Sequence, residues 1–338
     1  MPIIAALDHA KEAGSWLRRI GPGIALSVIV GIAAMFIAER FNGPLLLFAL
    51  LLGIAVNFAS SEGVTPPGIN FAMTHILRVA VALLGARISL VQVEGLGWTS
   101  ILIVACAVVL TIGFGIAAAR YLGLDRHFGI VSGGAVAICG ASAAFAISAA
   151  LPPGPNAERN TLIAVVGVTT LSTLAMIAYP AFALSMGWSE RAMGFFLGAT
   201  IHDVAQVVGA GYSISLDAGD FATFTKLTRV VLLVPVVATV SLVYRAKVIG
   251  GKATALPIPA FLVGFVLLMA ANSTGLIPQG LASTLSRISQ FCLVVAVAAL
   301  GMKTSFKSLL TLGWRPILTI LSETLFLALL VIGALLLE

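Results

Sequence analysis

Gly133-Gly134-Ala135-Val136-Ala137-Ile138-Cys139-Gly140-Ala141-Ser142 lies inside an apolar run over residues 128–150, and its reading decides the fold. The run is long enough to cross a bilayer, since a spanning helix needs about 20 apolar residues. Yet three glycines, a cysteine and a serine stand in its middle. Glycine weakens a helix interior and lets backbone approach a ligand. Aligned from Arg126 and Gly129, the stretch matches a second interrupted segment at an offset of 65, from Arg191 and Gly194 through Gly198 to His202-Asp203 and Gln206. Two apolar segments broken by glycine and small polar residues point to discontinuous helices that meet near the membrane midplane. With one span between them the two run parallel, unless one of them is re-entrant.

The rest of the chain supplies the membrane context. Of 338 residues 60 % are apolar and 9 % charged, with a mean hydropathy of +1.11. Soluble domains carry roughly 25 % charged residues. The composition therefore excludes a soluble enzyme, a secreted disulfide domain and a disordered chain. The apolar runs are long and do not alternate, which favours helices over a barrel. Eleven spans are expected, at about 22–39, 44–60, 69–89, 98–119, 128–150, 161–187, 193–211, 226–244, 256–273, 284–302 and 316–336. The expected fold class is an all-α polytopic membrane protein, a single integral domain over 1–338. Residues 1–20 read as a cytoplasmic amphipathic segment around Trp16, retained rather than cleaved. Residues 22–119 and 226–336 read as repeat-related helices, and 126–211 as the broken-helix core.

A second repeat supports this organisation. Leu77-Arg78-Val79-Ala80-Val81-Ala82-Leu83-Leu84-Gly85, running on through Arg87 and Ser89 to Leu96-Gly97-Trp98, matches Leu293 to Gly301, Lys303, Ser305 and Leu312-Gly313-Trp314. The offset is 216 throughout, with no gap. These are spans three and ten, an odd number apart, so they run in opposite directions. An inverted-topology repeat is characteristic of secondary transporters.

Basic residues orient the chain. Lys11, Arg18, Arg19, Arg120, Arg126, Arg191, Arg245, Lys247, Lys252, Lys303, Lys307 and Arg315 fall on the side of the N-terminus, and outnumber Arg40, Arg87, Arg159, Lys226, Arg229 and Arg287 opposite. The N-terminus is thus expected in the cytoplasm. The net charge of +6 mostly reflects this bias, and no clustered basic face suggests nucleic acid. The three cysteines, Cys106, Cys139 and Cys292, lie inside spans at spacings that suit neither a metal nor a redox pair.

Ionisable residues deep in a span are functional candidates by default. His75 and Arg78 share a face of span three. Arg78 offers a planar fork of donors to an oxyanion, or else pairs structurally with Glu323 or Asp203. His75 reads as a second donor or as an interhelical hydrogen bond. Gly133, Gly134, Cys139, Gly140 and Ser142 read as a break whose exposed N–H groups and positive dipole end suit an anion, or else as small-residue packing. His202 and Asp203, with Gln206 one turn on, read as carriers of a proton or coupling ion, or as a polar network bracing the second break. Glu323 is a further candidate in span eleven. Lys226 and Arg229 start span eight and are expected to snorkel to the interface. A catalytic reading would have to rest on Cys139 and His202 as a dyad, and no catalytic, cofactor or metal motif is present; the Walker signature is missing too.

At these residues the chain resembles the YeiH-type family of bacterial inner-membrane proteins, labelled sulfate exporters. The resemblance covers roughly residues 25–336. Its marks are the run Ile138-Cys139-Gly140-Ala141-Ser142-Ala143 and the run from Ile201-His202-Asp203 through Gln206 to Gly211. Leu77-Arg78, Thr225-Lys226 with Arg229, and Ala298 to Gly301 support it. Asp203 stands where many relatives carry Glu. The resemblance implies an inverted-repeat fold related to sodium/proton antiporters and bile-acid symporters, with a panel domain, a core of two crossing broken helices, and a homodimer through the panel. The expected function is secondary transport of a small anion, sulfate or an organosulfonate. Arg78, Gly133, Gly134, Cys139, Gly140, Ser142, His202 and Gln206 would contact the anion. His202, Asp203, Glu323 and His75 would handle a proton or sodium ion. The alternative is a cation/proton antiporter built on Asp203 and Glu323.

Overall fold

A computed structural model describes residues 2–41, 43–61, 63–88, 97–152, 154–244, 259–304 and 313–337, with side chains from residue 16 onward. Every regular element among them is helical. In chain order these are α1 (Pro2–Phe41), α2 (Leu45–Ala55), α3 (Pro66–Phe71), α4 (Leu77–Leu84), α5 (Gly97–Tyr121), α6 (Arg126–Ala137), α7 (Ala141–Ala150) and α8 (Ala157–Ser185). There follow α9 (Glu190–Thr200), α10 (Val204–Ile214), α11 (Leu216–Val231), α12 (Leu233–Tyr244), α13 (Ala260–Ser273), α14 (Gln279–Lys303) and α15 (Trp314–Leu337). A short 3-10 turn, Asn57–Ser60, extends α2, and a π turn, Ala72–Ile76, joins α3 to α4.

Seven stretches among the described residues are long and apolar enough to cross a membrane: Trp16–Phe41, Pro66–Leu84, Gly97–Tyr121, Ala157–Ser185, Leu216–Tyr244, Gln279–Lys303 and Trp314–Leu337. Four shorter apolar helices, α2, α7, α10 and α13, accompany them. Each of the eleven expected spans thus contains helix, but not each is one long helix. Two are split at their glycine and polar positions, leaving α6 and α7, and α9 and α10. The eighth is longer than expected. Its helix begins at Leu216, ten residues before the apolar run, and pauses at Leu232 because Pro235 denies a donor to the Val231 carbonyl and crowds it. Ser89, Leu96, Ser305 and Leu312 of the longer repeat lie outside the described residues, as do Arg245, Lys247, Lys252 and Lys307. So does the side chain of Lys11.

The chain forms two compact units. The first comprises Met1–Arg87 and Gly264–Thr304. Its core gathers Ile69 and Ala72 against Val295, Ala299 and Met302. Ser289 Oγ donates to the Ala80 carbonyl at 2.7 Å, and Asn57 Nδ2 donates to Met302 and Thr304 carbonyls at 2.6 and 2.9 Å. Two glycines bring backbones together here. A Cβ on Gly85 would collide with the carbonyl of Phe265 on α13, and a Cβ on Gly301 with the carbonyl of Leu50 on α2.

The second unit comprises Ile88–Val263 and Ser305–Glu338. It holds both split helices. α6 starts on an Asp125 cap, whose carboxylate accepts from His127 N at 3.2 Å, and α9 starts on a Ser189 cap that accepts from Ala192 N at 3.3 Å. Such caps satisfy amides that the first turn leaves without partners. α5 and α15 flank the split helices, with Phe114 and Phe326 stacked at 4.3 Å.

Candidate functional site

The two breaks in the second unit lie beside each other. α6 ends at Ala137, and Ile138-Cys139-Gly140 carries the chain to α7. Gly140 has φ +64°, a conformation that side chains other than glycine's rarely adopt. A Cβ there would meet the His202 carbonyl at 3.7 Å and Asp203 Cβ at 3.8 Å, so the first break touches the second. α9 ends at Thr200, and Ile201-His202-Asp203 leads into α10, with Asp203 at its N-cap. The Asp203 amide donates to Ser172 Oγ of α8 at 3.1 Å.

The carbonyls orphaned by these breaks converge on two cations. Lys226 Nζ donates to Ile138 O at 2.5 Å, to Ile201 O at 2.9 Å and to His202 O. Arg229 Nε donates to Ala137 O at 2.7 Å, Nη1 to Gly198 O and Ile201 O at 3.0 and 2.9 Å, and Nη2 to Val136 O at 2.6 Å. Both side chains are fully buried. The spacing i, i+3 on α11 puts them on one face. A helix C-terminus leaves unpaired carbonyls and about half a negative charge. Lys226 and Arg229 therefore cap α6 and α9 together. Three carbonyl acceptors match in number the three N–H donors of an ammonium. These residues do not snorkel. They lie mid-way along Leu216–Tyr244, because that helix starts well before the apolar run.

His202 is buried between the breaks. Its Nδ1 faces Val136 O at 3.2 Å and its Nε2 faces Thr324 Oγ1 of α15 at 3.0 Å. The adjacent Glu323 is also fully buried. Ser132 Oγ of α6 donates to its Oε1 at 2.7 Å, while Oε2 has no partner among the described residues. Gly115 on α5 makes room for this carboxyl: a Cβ there would lie 2.5 Å from Oε1 and 2.8 Å from Gly129 O. Gln206, in the first turn of α10, is buried with its Nε2 at the long distance of 3.5 Å from Thr173 Oγ1 and its Oε1 unpartnered among the described residues.

Of the residues singled out in the sequence, Cys139, Gly140, His202 and Asp203 lie at the two adjoining breaks, with Gln206 in the first turn of α10 and Ser142 exposed in the first turn of α7. Gly133 and Gly134 do not form the break. α6 continues through them. A Cβ on Gly133 would press on the Ile112 backbone of α5 at 3.1 Å, and one on Gly134 would strike Ile147 of α7. His75 and Arg78 belong to the first unit, where both are exposed. His75 is engaged locally, stacked on Phe71 at 4.7 Å with its Nδ1 2.9 Å from Thr74 Oγ1. Sequence reasoning missed Ser132, Thr324 and the capping role of Lys226 and Arg229.

Comparison with known proteins agrees with this membrane architecture. A family model described as "Conserved hypothetical protein 698" matches residues 22–320. A UPF0324 membrane protein of Chlorobaculum tepidum is 48 % identical over 331 residues, covering 96 % of this chain and 92 % of the relative. The UPF0324 membrane protein TauZ of Paracoccus denitrificans is 48 % identical over 312 residues, covering 91 % and 92 %. One from Rhizobium meliloti is 44 % identical over 339 residues, covering 98 % of each. The chain therefore belongs to this family of UPF0324 membrane proteins, the YeiH-type family that its two break motifs resemble.

Proposed function

We propose that the protein is a secondary transporter of a small anion, sulfate or an organosulfonate, working by alternating access in the bacterial cytoplasmic membrane with its N-terminus in the cytoplasm. It needs no cofactor and catalyses no reaction. The observation that carries this reading is the meeting of two split helices at Lys226 and Arg229. Four half-helix ends lie there, two negative and two positive, and they cancel in pairs. Lys226 and Arg229 then stand against Asp203, an excess of about one positive charge. Protonating Asp203 raises the excess to about two, which matches a divalent oxyanion. Proton binding and anion binding thus favour one another, which is thermodynamic coupling.

In this reading the anion lies at the amides that open α7 and α10, with Ser142, Cys139, Gly140 and Gln206 beside it. His202 and Asp203 hold the proton. Glu323 and Thr324 support them from α15. The first unit supplies the repeat. Gly85 of span three packs on Phe265 of span nine, and Gly301 of span ten packs on Leu50 of span two. Spans two and three exchange roles with nine and ten in these contacts, which supports an inverted repeat within an eleven-span fold.

The test is reconstitution into liposomes and measurement of radiolabelled sulfate and organosulfonate flux, with and without a pH gradient. Flux above that of protein-free vesicles, raised by an inward proton gradient, is expected. No flux of either anion under any gradient would overturn the reading.

A further inference from the structure

The Lys226 ammonium has an unusual set of ligands for a lysine in a membrane. Among the described residues it touches no carboxylate in its hydrogen bonds. All three partners are backbone carbonyls, Ile138 O, Ile201 O and His202 O, drawn from two separate helix breaks. A cage of backbone carbonyls that replaces a hydration shell is how membrane proteins hold a bare monovalent cation. The cage is also built to hold its shape. Arg229 fixes the carbonyls on either side, binding Ala137 O before Ile138 and sharing Ile201 O with Lys226. A carbonyl has two lone pairs and serves both donors. Gly140, with its positive φ, keeps the first break in place.

We propose that Ile138 O, Ile201 O and His202 O form a monovalent-cation site which Lys226 fills with its own ammonium. The protein thus carries a tethered cation at the crossing of its split helices. Free sodium or potassium has no access while Lys226 stays there. The coupling ion of any transport cycle is then not an alkali metal bound at this crossing. Removing the side-chain charge opens the cage to a free ion. Ammonium itself and potassium, which is close to it in size, are the best replacements.

The carbonyl cage is defined by geometry alone, and melting tests it without transport. Purified wild type and Lys226→Met, in which a similar side chain lacks the charge, are melted in detergent at fixed ionic strength. The salts are choline, sodium, potassium and ammonium chloride. Wild type is expected to melt at the same temperature in all four. Lys226→Met is expected to melt lower than wild type in choline, and to regain stability in potassium or ammonium. That gain should grow with the logarithm of concentration, as for any ligand that binds only the folded state. If Lys226→Met melts no higher in any small cation than in choline, the proposal is overturned. A variant that stays aggregated when extracted in every salt overturns it equally, because a free ion should replace the ammonium. Wild type stabilised by potassium as much as the variant also overturns it, because the site would not be the one Lys226 fills. Failure of anion flux in liposomes, by contrast, would leave this result untouched.

Discussion

His202 and Thr324 meet at 3.0 Å, Nε2 to Oγ1, while the other ring nitrogen of His202 faces the Val136 carbonyl. A carbonyl only accepts, so Nδ1 carries a proton. The Thr324 hydroxyl has a second acceptor in reach, Ile320 O at 2.8 Å. With a neutral ring the hydroxyl donates to Nε2. With a second proton on the ring, Nε2 donates to Oγ1 and the hydroxyl turns to Ile320 O. One rotation about a C–O bond accommodates the proton and leaves no group unsatisfied.

Thr324→Val removes that device at nearly constant volume. The proton-driven part of flux should fall about tenfold, the equivalent of one hydrogen bond to a charged group at ~1.5 kcal/mol. Thr324→Ser should restore it. Flux against imposed pH gradients, in both variants, is the check. Undiminished pH-driven flux in Thr324→Val would remove the pair from coupling.

Arg229 holds four carbonyls with four of its five donors. Arg229→Ala leaves those carbonyls buried without it, at ~1–3 kcal/mol for each one left unsatisfied. The variant should not be recovered as monodisperse protein in gel filtration. Arg229→Lys keeps the charge but not the fork, and should fold with a clearly lowered melting temperature.

Gly115 and Glu323 form a knob and a notch. Gly115→Ala drives a methyl group into Oε1 and toward Gly129 O. Overpacking of this kind costs about 1–3 kcal/mol. Combining it with Glu323→Ala vacates the space at Oε1 but not at Gly129 O. The double variant should therefore be more stable than the two single effects added together, yet short of wild type. A double-mutant cycle on melting temperatures measures the difference.

Much of the fold was legible in the sequence because length and hydropathy alone separate spanning helices from everything else. All eleven apolar runs contain helix. The breaks were legible in kind but displaced in position. Gly133 and Gly134 look like the weakest point of their run, but Ile112 and Ile147 use the missing side chains for close packing, and the helix fails only at Ile138–Gly140. Lys226 and Arg229 look terminal because they open the apolar run at 226, whereas the helix begins at Leu216 on a Ser215 cap. Their partners are main-chain oxygens, which no residue pattern announces. The signal that was present is the spacing of two basic residues on one face of a segment rich in threonine, at the opening of an apolar run. The Ser132–Glu323 contact joins residues far apart in the chain, which a single sequence does not pair.

Gly85 and Gly301 carry a last consequence. At both, two backbones touch with no side chain between them. Sliding either helix by one turn, about 5.4 Å, would bring a residue four positions away to the contact, Val81 in one case and Val297 in the other. Each would drive a Cβ into a peptide group. The two seams act as detents against axial slip, one in each half of the first unit. If the protein cycles as proposed, these two contacts within the first unit are expected to stay closed through the cycle.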